Sequence, residues 1–321
     1  MTPRQSAKGH SLMSSRATAN SDIGSSVRPS RRRRIPMAAA VFLLPGLILY
    51  TTFMAFPLLD SVWLSLFSGL PGHEVFVGLA NYTTIIANSF EASQFWPALA
   101  HTAIFTLIQL VIQTPLALIL AELLSRPSLR GRSVYRLLIF VPTTISLVIC
   151  AFIWNLLLSP IWGLPFGAGA LGNADWALIA CSLIATWQFL GLPMILFYAV
   201  IISIPQDYVD AGRVDGAGHW AVFRHIKLPL LGATIAMVAI ITYIGDFNAF
   251  ELIYTMKGGA PGPSYATDIL GTLFFREFFG WRFQPGDSGV GAAVGCLTLA
   301  FILAGVGIYM VSRRRVQNYE L

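Results

Sequence analysis

Charge is what this sequence has least of. Only 11% of its 321 residues are Asp, Glu, Lys or Arg and 55% are apolar, whereas an ordinary soluble domain carries roughly 25% charged residues. A water-facing surface of normal size cannot be assembled from that stock. Cysteine is scarce as well: Cys150, Cys181 and Cys296 sit singly in apolar runs without C-x-x-C spacing, so neither a disulfide framework nor a zinc site is expected, and they read as packing residues. Catalytic signatures are missing, since there is no phosphate-cradling G-x-x-x-x-G-K-[ST] loop, no H-E-x-x-H and no G-x-S-x-G. His10, His73, His101, His219 and His225 are scattered, and the nearest pair, His219 and His225, falls on different faces of a helix. No catalytic residue and no metal ligand is expected.

Long apolar runs are what the chain has instead. About 20 residues at 1.5 Å rise cross a hydrocarbon core, and six segments qualify: 37–59, 97–124, 134–158, 176–203, 231–255 and 289–311. Lys and Arg are retained on the cytoplasmic side. With the N-terminus inside, every basic residue falls inside except Lys257, Arg276 and Arg282. Both termini are therefore expected in the cytoplasm, and the excess of basic charge belongs to the membrane surface, with no nucleic acid implied. Residues 1–35 are rich in Ser and Arg and poor in acids, a composition shared by organellar transit peptides and by disordered cytoplasmic tails; the tail is the reading adopted. The run from Met37 exceeds a signal-peptide core and lacks a convincing A-x-A cleavage site, so it reads as a retained first helix. The expected organisation is a basic tail (1–35), a first transmembrane helix with its external loop (36–96), a five-helix core (97–312) containing a cytoplasmic connection at 204–231, and a cytoplasmic tail (313–321).

That connection is the most informative stretch. It reads Asp210-Ala-Gly-Arg-Val-Asp215-Gly216-Ala217, then Phe223, Ile226, Leu228 and Pro229. Asp207 and Asp210 favour a helix start, Gly216 supplies the backbone freedom to turn, and Pro229 ends the second segment. Val214, Ala217, Phe223, Ile226 and Leu228 give more apolar surface than a hydrated loop needs, which calls for a partner.

The stretch resembles the E-A-A-x-x-D-G-A-(x)-F-x-x-I-x-L-P loop of the transmembrane subunits of ATP-binding-cassette importers, the loop that forms their coupling helix. Ala211, Asp215, Gly216, Ala217, Phe223, Ile226, Leu228 and Pro229 match, while Asp210 replaces the glutamate and Gly212 the second alanine. Gly212 costs about 1 kcal/mol of helix stability relative to Ala. Two further stretches resemble the carbohydrate-uptake branch of that family, which includes the maltose and glycerol-3-phosphate permeases. One is Phe76-Val77-Gly78-Leu79-Ala80-Asn81-Tyr82 followed by Phe95-Trp96-Pro97-Ala98-Leu99 and Thr102. The other runs from Phe250-Glu251-Leu252-Ile253-Tyr254 to Gly258-Gly259-Ala260-Pro261, with Glu in place of Asp and one inserted residue before Pro261.

Ionisable groups inside a span are costly and are functional candidates by default. The fifth span carries Asp246 and Glu251. At 100° per residue Tyr243, Phe247, Phe250 and Tyr254 form one aromatic stripe, flanked by the two acids. Such a surface matches the apolar faces and hydroxyl rims of sugars; helix packing is the competing reading. In the second span Thr102, Thr106, Gln109 and Gln113 form a polar line that should face the bundle, either as interhelical hydrogen bonds or as pathway residues.

The fold expected is all-α and integral to the membrane, a six-helix bundle of the type I importer permease kind. The resemblance implies a permease subunit taking up a sugar or sugar-like solute by alternating access in a bacterial inner or plasma membrane. It further implies a companion permease, an ATPase dimer that binds the ATP and Mg²⁺, and an extracytoplasmic solute-binding protein, with no cofactor in this chain. The alternatives are a secondary transporter driven by an ion gradient, with Asp246 and Glu251 as ion sites, and a membrane-embedded enzyme. No repeat between the two halves supports the first, and no nucleophile or metal constellation supports the second.

Overall fold

A computed structural model describes residues 37–70, 72–88, 92–161, 169–282 and 285–317. The basic tail, 1–35, and the last residues, 318–321, lie outside them. The chain divides into two units, 1–51 and 52–321. In the first, the described segment is an apolar helix, Met37–Tyr50, with Pro45 inside it. The second is almost wholly helical, apart from a short antiparallel pair in which Phe67 faces Phe76 and Ser68 faces Val75.

Among the described residues, three helices are long and apolar enough to cross a membrane: Val41–Leu64, Gln94–Ser125 and Ser288–Ser312. Of the other three expected spans, two are bent within their length and the third bends where it leaves the 204–231 connection. Arg132–Thr144 meets Leu147–Leu157 at 97°, Ala174–Phe189 meets Gly191–Ser203 at 46°, and His219–Leu230 meets Gly232–Phe247 at 66°. The first two pairs are called here the third and fourth spans, and Gly232–Phe247 the helix of the fifth. In the third, Pro142 lies in the last turn before the extended residues Ile145 and Ser146. A break in hydrocarbon must have its freed backbone groups satisfied by neighbours, and the fourth span does this: Gln188 Nε2 donates to Ile145 O at 2.9 Å, and Thr143 Oγ1 donates to Gln188 O at 3.0 Å. Gly191 permits the contact, because a Cβ there would lie 2.8 Å from Phe140 Cα.

The last helix runs Ser288–Gln317, past the expected end of the sixth span. Its start is fixed from outside. Asp287 Oδ1 accepts from the backbone N–H of Gly289 and Val290, while Oδ2 accepts from Ser68 Oγ and Gly69 N. Asn81 is buried and donates to Ser65 O and Phe67 O. The Gly78-to-Tyr82 motif is thus a clasp between the short hairpin and the sixth span.

Packing follows membrane logic, in which small residues let helices approach closely. Ala98, Ala117, Ala121, Ala151, Ala177 and Ala293 are completely buried, whereas Leu107, Val111, Ile119, Leu303 and Ile308 are exposed. One core joins the second and fourth spans around Ala117, Ala121, Met194 and Phe197. Another joins the second span, helix Leu270–Phe279 and the sixth span around Phe95, Phe247, Leu273 and Val294.

Candidate functional site

The connection at 204–231 folds as two helices around a turn. Gln206–Val214 ends at Asp215, and Gly216 follows at φ +83°. The Gly216 N–H donates to Arg213 O at 3.0 Å and the Ala217 N–H to Gly212 O at 2.9 Å, the pattern in which a left-handed glycine closes a helix. The second helical stretch begins at His219, passes through a wider turn at Phe223–Lys227, and continues as Leu228–Leu230. Asp210, Ala211, Val214, Asp215, Gly216 and Trp220 are exposed at the tip. Asp210 receives hydrogen bonds from Arg213 and Gln206 within its own helix. Phe223, half-buried, stacks on Trp220 at 5.5 Å. Leu228 is half-buried and Pro229 exposed.

Gly212 has a reason the sequence does not display. A Cβ there would lie 2.8 Å from Ile226 Cδ1, so the glycine that weakens the first helix admits the isoleucine of the second. A further tie is absent from the motif: Lys227 Nζ donates to both carboxylate oxygens of Glu122 at 2.8 and 2.9 Å, with both side chains only 15% exposed. The connection is thereby fixed to the C-terminal end of the second span.

The fifth span differs from expectation. Its helix stops at Phe247, Asn248 to Phe250 break it, and a new helix runs Glu251–Lys257. The cause is tertiary. Helix Leu270–Phe279 presses against the break at Gly271, where a Cβ would lie 2.3 Å from Ala249 O. Asn248 Nδ2 also caps Ile244 O at 2.7 Å. The single aromatic stripe is therefore corrected to two pairs, Tyr243 with Phe247 and Phe250 with Tyr254. Tyr243 donates its hydroxyl to Phe301 O at 2.6 Å, and Phe247 is buried in the core with the sixth span. Both are packing residues of that interface.

Asp246, Phe250 and Glu251, by contrast, line a cavity of about 410 Å³ bounded by the second to fifth spans. Its wall is mainly apolar and includes Phe105, Leu147, Phe189 and Ile241, with Gln113, Thr242 and Asn248 as further polar groups. Asp246 Oδ2 is buried without a hydrogen-bond partner among the described residues. The polar line of the second span divides. All four residues are buried, but Gln109 donates to Ser182 O and accepts from Thr186 Oγ1 in the fourth span, away from the cavity wall. Gln113 reaches the cavity while donating to Phe189 O at 3.1 Å. Phe105, Leu147 and Phe189 escaped the sequence reading because an apolar residue on a pathway has the same pattern as one in a core.

The Gly258-Gly259 pair is also structural. Gly258 has φ +77°, Trp281 lies flat where a Gly259 Cβ would be, and Arg276 donates to Gly259 O. Arg276 itself is buried and pairs with Asp268 at 2.7 Å.

Residues 113–318 match the family model described as binding-protein-dependent transport system inner membrane component. The lactose transport system permease protein LacF of Rhizobium radiobacter is 30% identical over 273 residues, 81% of this chain and 89% of that protein. The trehalose/maltose transport system permease protein MalF of Thermococcus litoralis is 28% identical over 281 residues, 84% and 91% of the two chains. Among solved structures, a bacterial ABC transporter that imports the acidic polysaccharide alginate has the same fold, with a TM-score of 0.73 at 23% identity over 87% of this chain and 96% of that one.

Proposed function

The chain belongs to the family of binding-protein-dependent transport system inner membrane components, and from that premise we propose that it is the permease subunit of an ATP-driven importer for a sugar or sugar-like solute. The relatives named for lactose and for trehalose and maltose support the sugar class. ATP and Mg²⁺ bind to a partner ATPase dimer and not to this chain. Closure of that dimer on the exposed tip from Asp210 to Trp220 tilts the spans, so that a central site faces alternately out and in. A companion permease and an external solute-binding protein complete the machine. It works in the inner or plasma membrane with both termini in the cytoplasm, an orientation supported by the distribution of Lys and Arg.

The observation that carries this reading is the cavity at the break in the fifth span, where an unpartnered carboxylate and an aromatic face meet. A carboxylate exposed to lipid would cost roughly 3 kcal/mol; at a pathway it meets solute or water. Phe250 offers a ring for the apolar face of a sugar, held in place by Tyr254 at 4.8 Å and Phe275 at 5.0 Å. The test is uptake by the reconstituted importer. Phe250→Ala is expected to raise KM by about fivefold, the equivalent of roughly 1 kcal/mol of lost aromatic contact. Asp246→Asn is expected to change KM while ATP hydrolysis continues. Normal uptake by both variants would remove this cavity from the pathway.

A further inference from the structure

The cavity described above has walls of one charge sign. Asp246 and Glu251 line it, and no Lys, Arg or His does so among the described residues. The sequence makes this a property of the whole region: no Lys, Arg or His occurs between Arg136 and Arg213, between Lys227 and Lys257, or between His101 and Arg126. Every residue of the cavity wall from Gln113 to Leu252 falls within one of those stretches or on their apolar flanks. Asp246 and Glu251 form no ion pair among the described residues, and the polar neighbours Gln113, Thr242 and Asn248 are neutral.

A mainly apolar cleft lined by acidic groups alone focuses its field and concentrates counter-charge by about tenfold or more. An anionic solute entering such a cleft would lose hydration and meet acidic groups, with no cation from this chain to receive it. Sugar hydroxyls donate hydrogen bonds to carboxylates, and an ammonium group does so with the added strength of its charge. We propose that this cavity selects by charge: it takes saccharides that are neutral or carry an amino group and rejects those bearing carboxylate or phosphate. The proposal rests on the cavity being the solute pathway. It also sets the chain apart from the alginate importer, with which it shares a fold at 23% identity.

The test reads the cavity's field directly in the assembled importer, so that selection by the external binding protein does not enter. Cys150, Cys181 and Cys296 are replaced, and one cysteine is introduced at Thr242 or Asn248. Labelling rates are then compared for a permanently cationic trimethylammonium methanethiosulfonate and an anionic sulfonate one, each normalised to a free thiol in solution. The cationic reagent is expected to react about tenfold faster, and Asp246→Asn with Glu251→Gln to bring the normalised ratio toward one. A glucosamine disaccharide is expected to slow labelling, and a galacturonate disaccharide to leave it unchanged. A ratio of one or an anionic preference with both acids present, or protection by the galacturonate probe, would overturn charge selection while leaving the pathway intact. Absence of labelling at both positions in every transport state would overturn the pathway reading itself.

Discussion

Three glycines show how differently one residue type is used. Gly216 faces open space and is needed for its backbone angle, φ +83°, a conformation that costs other L-residues about 1–2 kcal/mol. Gly191 is needed for room: an added Cβ would meet the Phe140 Cα at 2.8 Å and Ile139 O at 3.0 Å, both backbone atoms that cannot turn aside. Gly212 meets only the tip of Ile226 at 2.8 Å, and a side-chain tip can shift. Gly191→Ala is therefore expected to destabilise the folded subunit by about 1–3 kcal/mol, the range for overpacking. Gly212→Ala should be near neutral, since the gain of about 1 kcal/mol in helix propensity offsets the displacement of Ile226. Adding Ile226→Val to Gly212→Ala should raise the thermal midpoint above that of the parent. Thermal unfolding in detergent, read as loss of monodisperse protein, checks all three, and a Gly191→Ala midpoint equal to the parent's would contradict the close approach. The sequence displayed Gly216 as a turn residue because it stood in a motif of polar and small neighbours. It gave no sign of the roles of Gly191 and Gly212, which are set by atoms distant along the chain.

At the scale of elements, apolar length located three continuous helices long enough to span and three bent pairs, while the bends stayed hidden. The fifth span shows why. Asn248, Ala249 and Phe250 contain neither Pro nor a helix-stopping Gly, and the break there is imposed by helix Leu270–Phe279 closing on Ala249 through Gly271. Periodicity assumes an unbroken helix, so it grouped Tyr243 and Phe247 with Phe250 and missed that the break turns them toward the sixth span. The flanking acids, Asp246 and Glu251, both line the cavity, since an acid in a span must find a cavity or a partner whatever the helix does. The Glu122–Lys227 pair is another product of folding, joining the second span to the 204–231 connection 105 residues further on. Gln113 stands on the same span nine residues before Glu122, about 13 Å along the helix axis, so the pair links the connection to the element that carries a cavity residue. Glu122→Gln should cost less than the ~3–5 kcal/mol of a fully buried pair, because both side chains retain some water. Its main effect is expected in coupling: ATP hydrolysis continues while solute moved per ATP falls severalfold. The exchanged pair, Glu122→Lys with Lys227→Glu, should recover most of that ratio, and a ratio unchanged in Glu122→Gln would show that the tie transmits nothing.

For the whole molecule, the decisive constraint is the bilayer, which acts on sequence more simply than tertiary packing does. Hydrocarbon demands apolar length and the cytoplasmic face demands basic charge, so candidate spans and an expected direction follow from sequence without knowing one contact. The structure adds consistency of a kind the sequence lacks. Arg126, Arg130, Arg132, Arg213 and Arg224 all lie at the ends of described helices or in the connections between them and are exposed. The lone buried arginine, among the described residues whose exposure is given, is Arg276, and it holds Asp268 and Gln94. Arg276 is thus a packing residue, and its charge gives no vote on orientation. That leaves the proposed direction resting on the exposed residues alone, which makes it open to a direct check. Cysteine at Val214, on the tip of the connection, should react with a membrane-impermeant thiol reagent only after the cells are permeabilised. Cysteine at Val75, in the hairpin clasped to the start of the sixth span, should react in intact cells once the outer envelope is removed. Both positions are well exposed, at 87% and 64%, so access to the thiol within the chain is not limiting. The reverse pattern would invert the orientation and place the Asp210-to-Trp220 tip beyond the reach of any cytoplasmic ATPase. Labelling of both positions from outside would mean that an even number of crossings, and not three, separates Val75 from Val214, and one of the bent helix pairs between them would then be re-entrant.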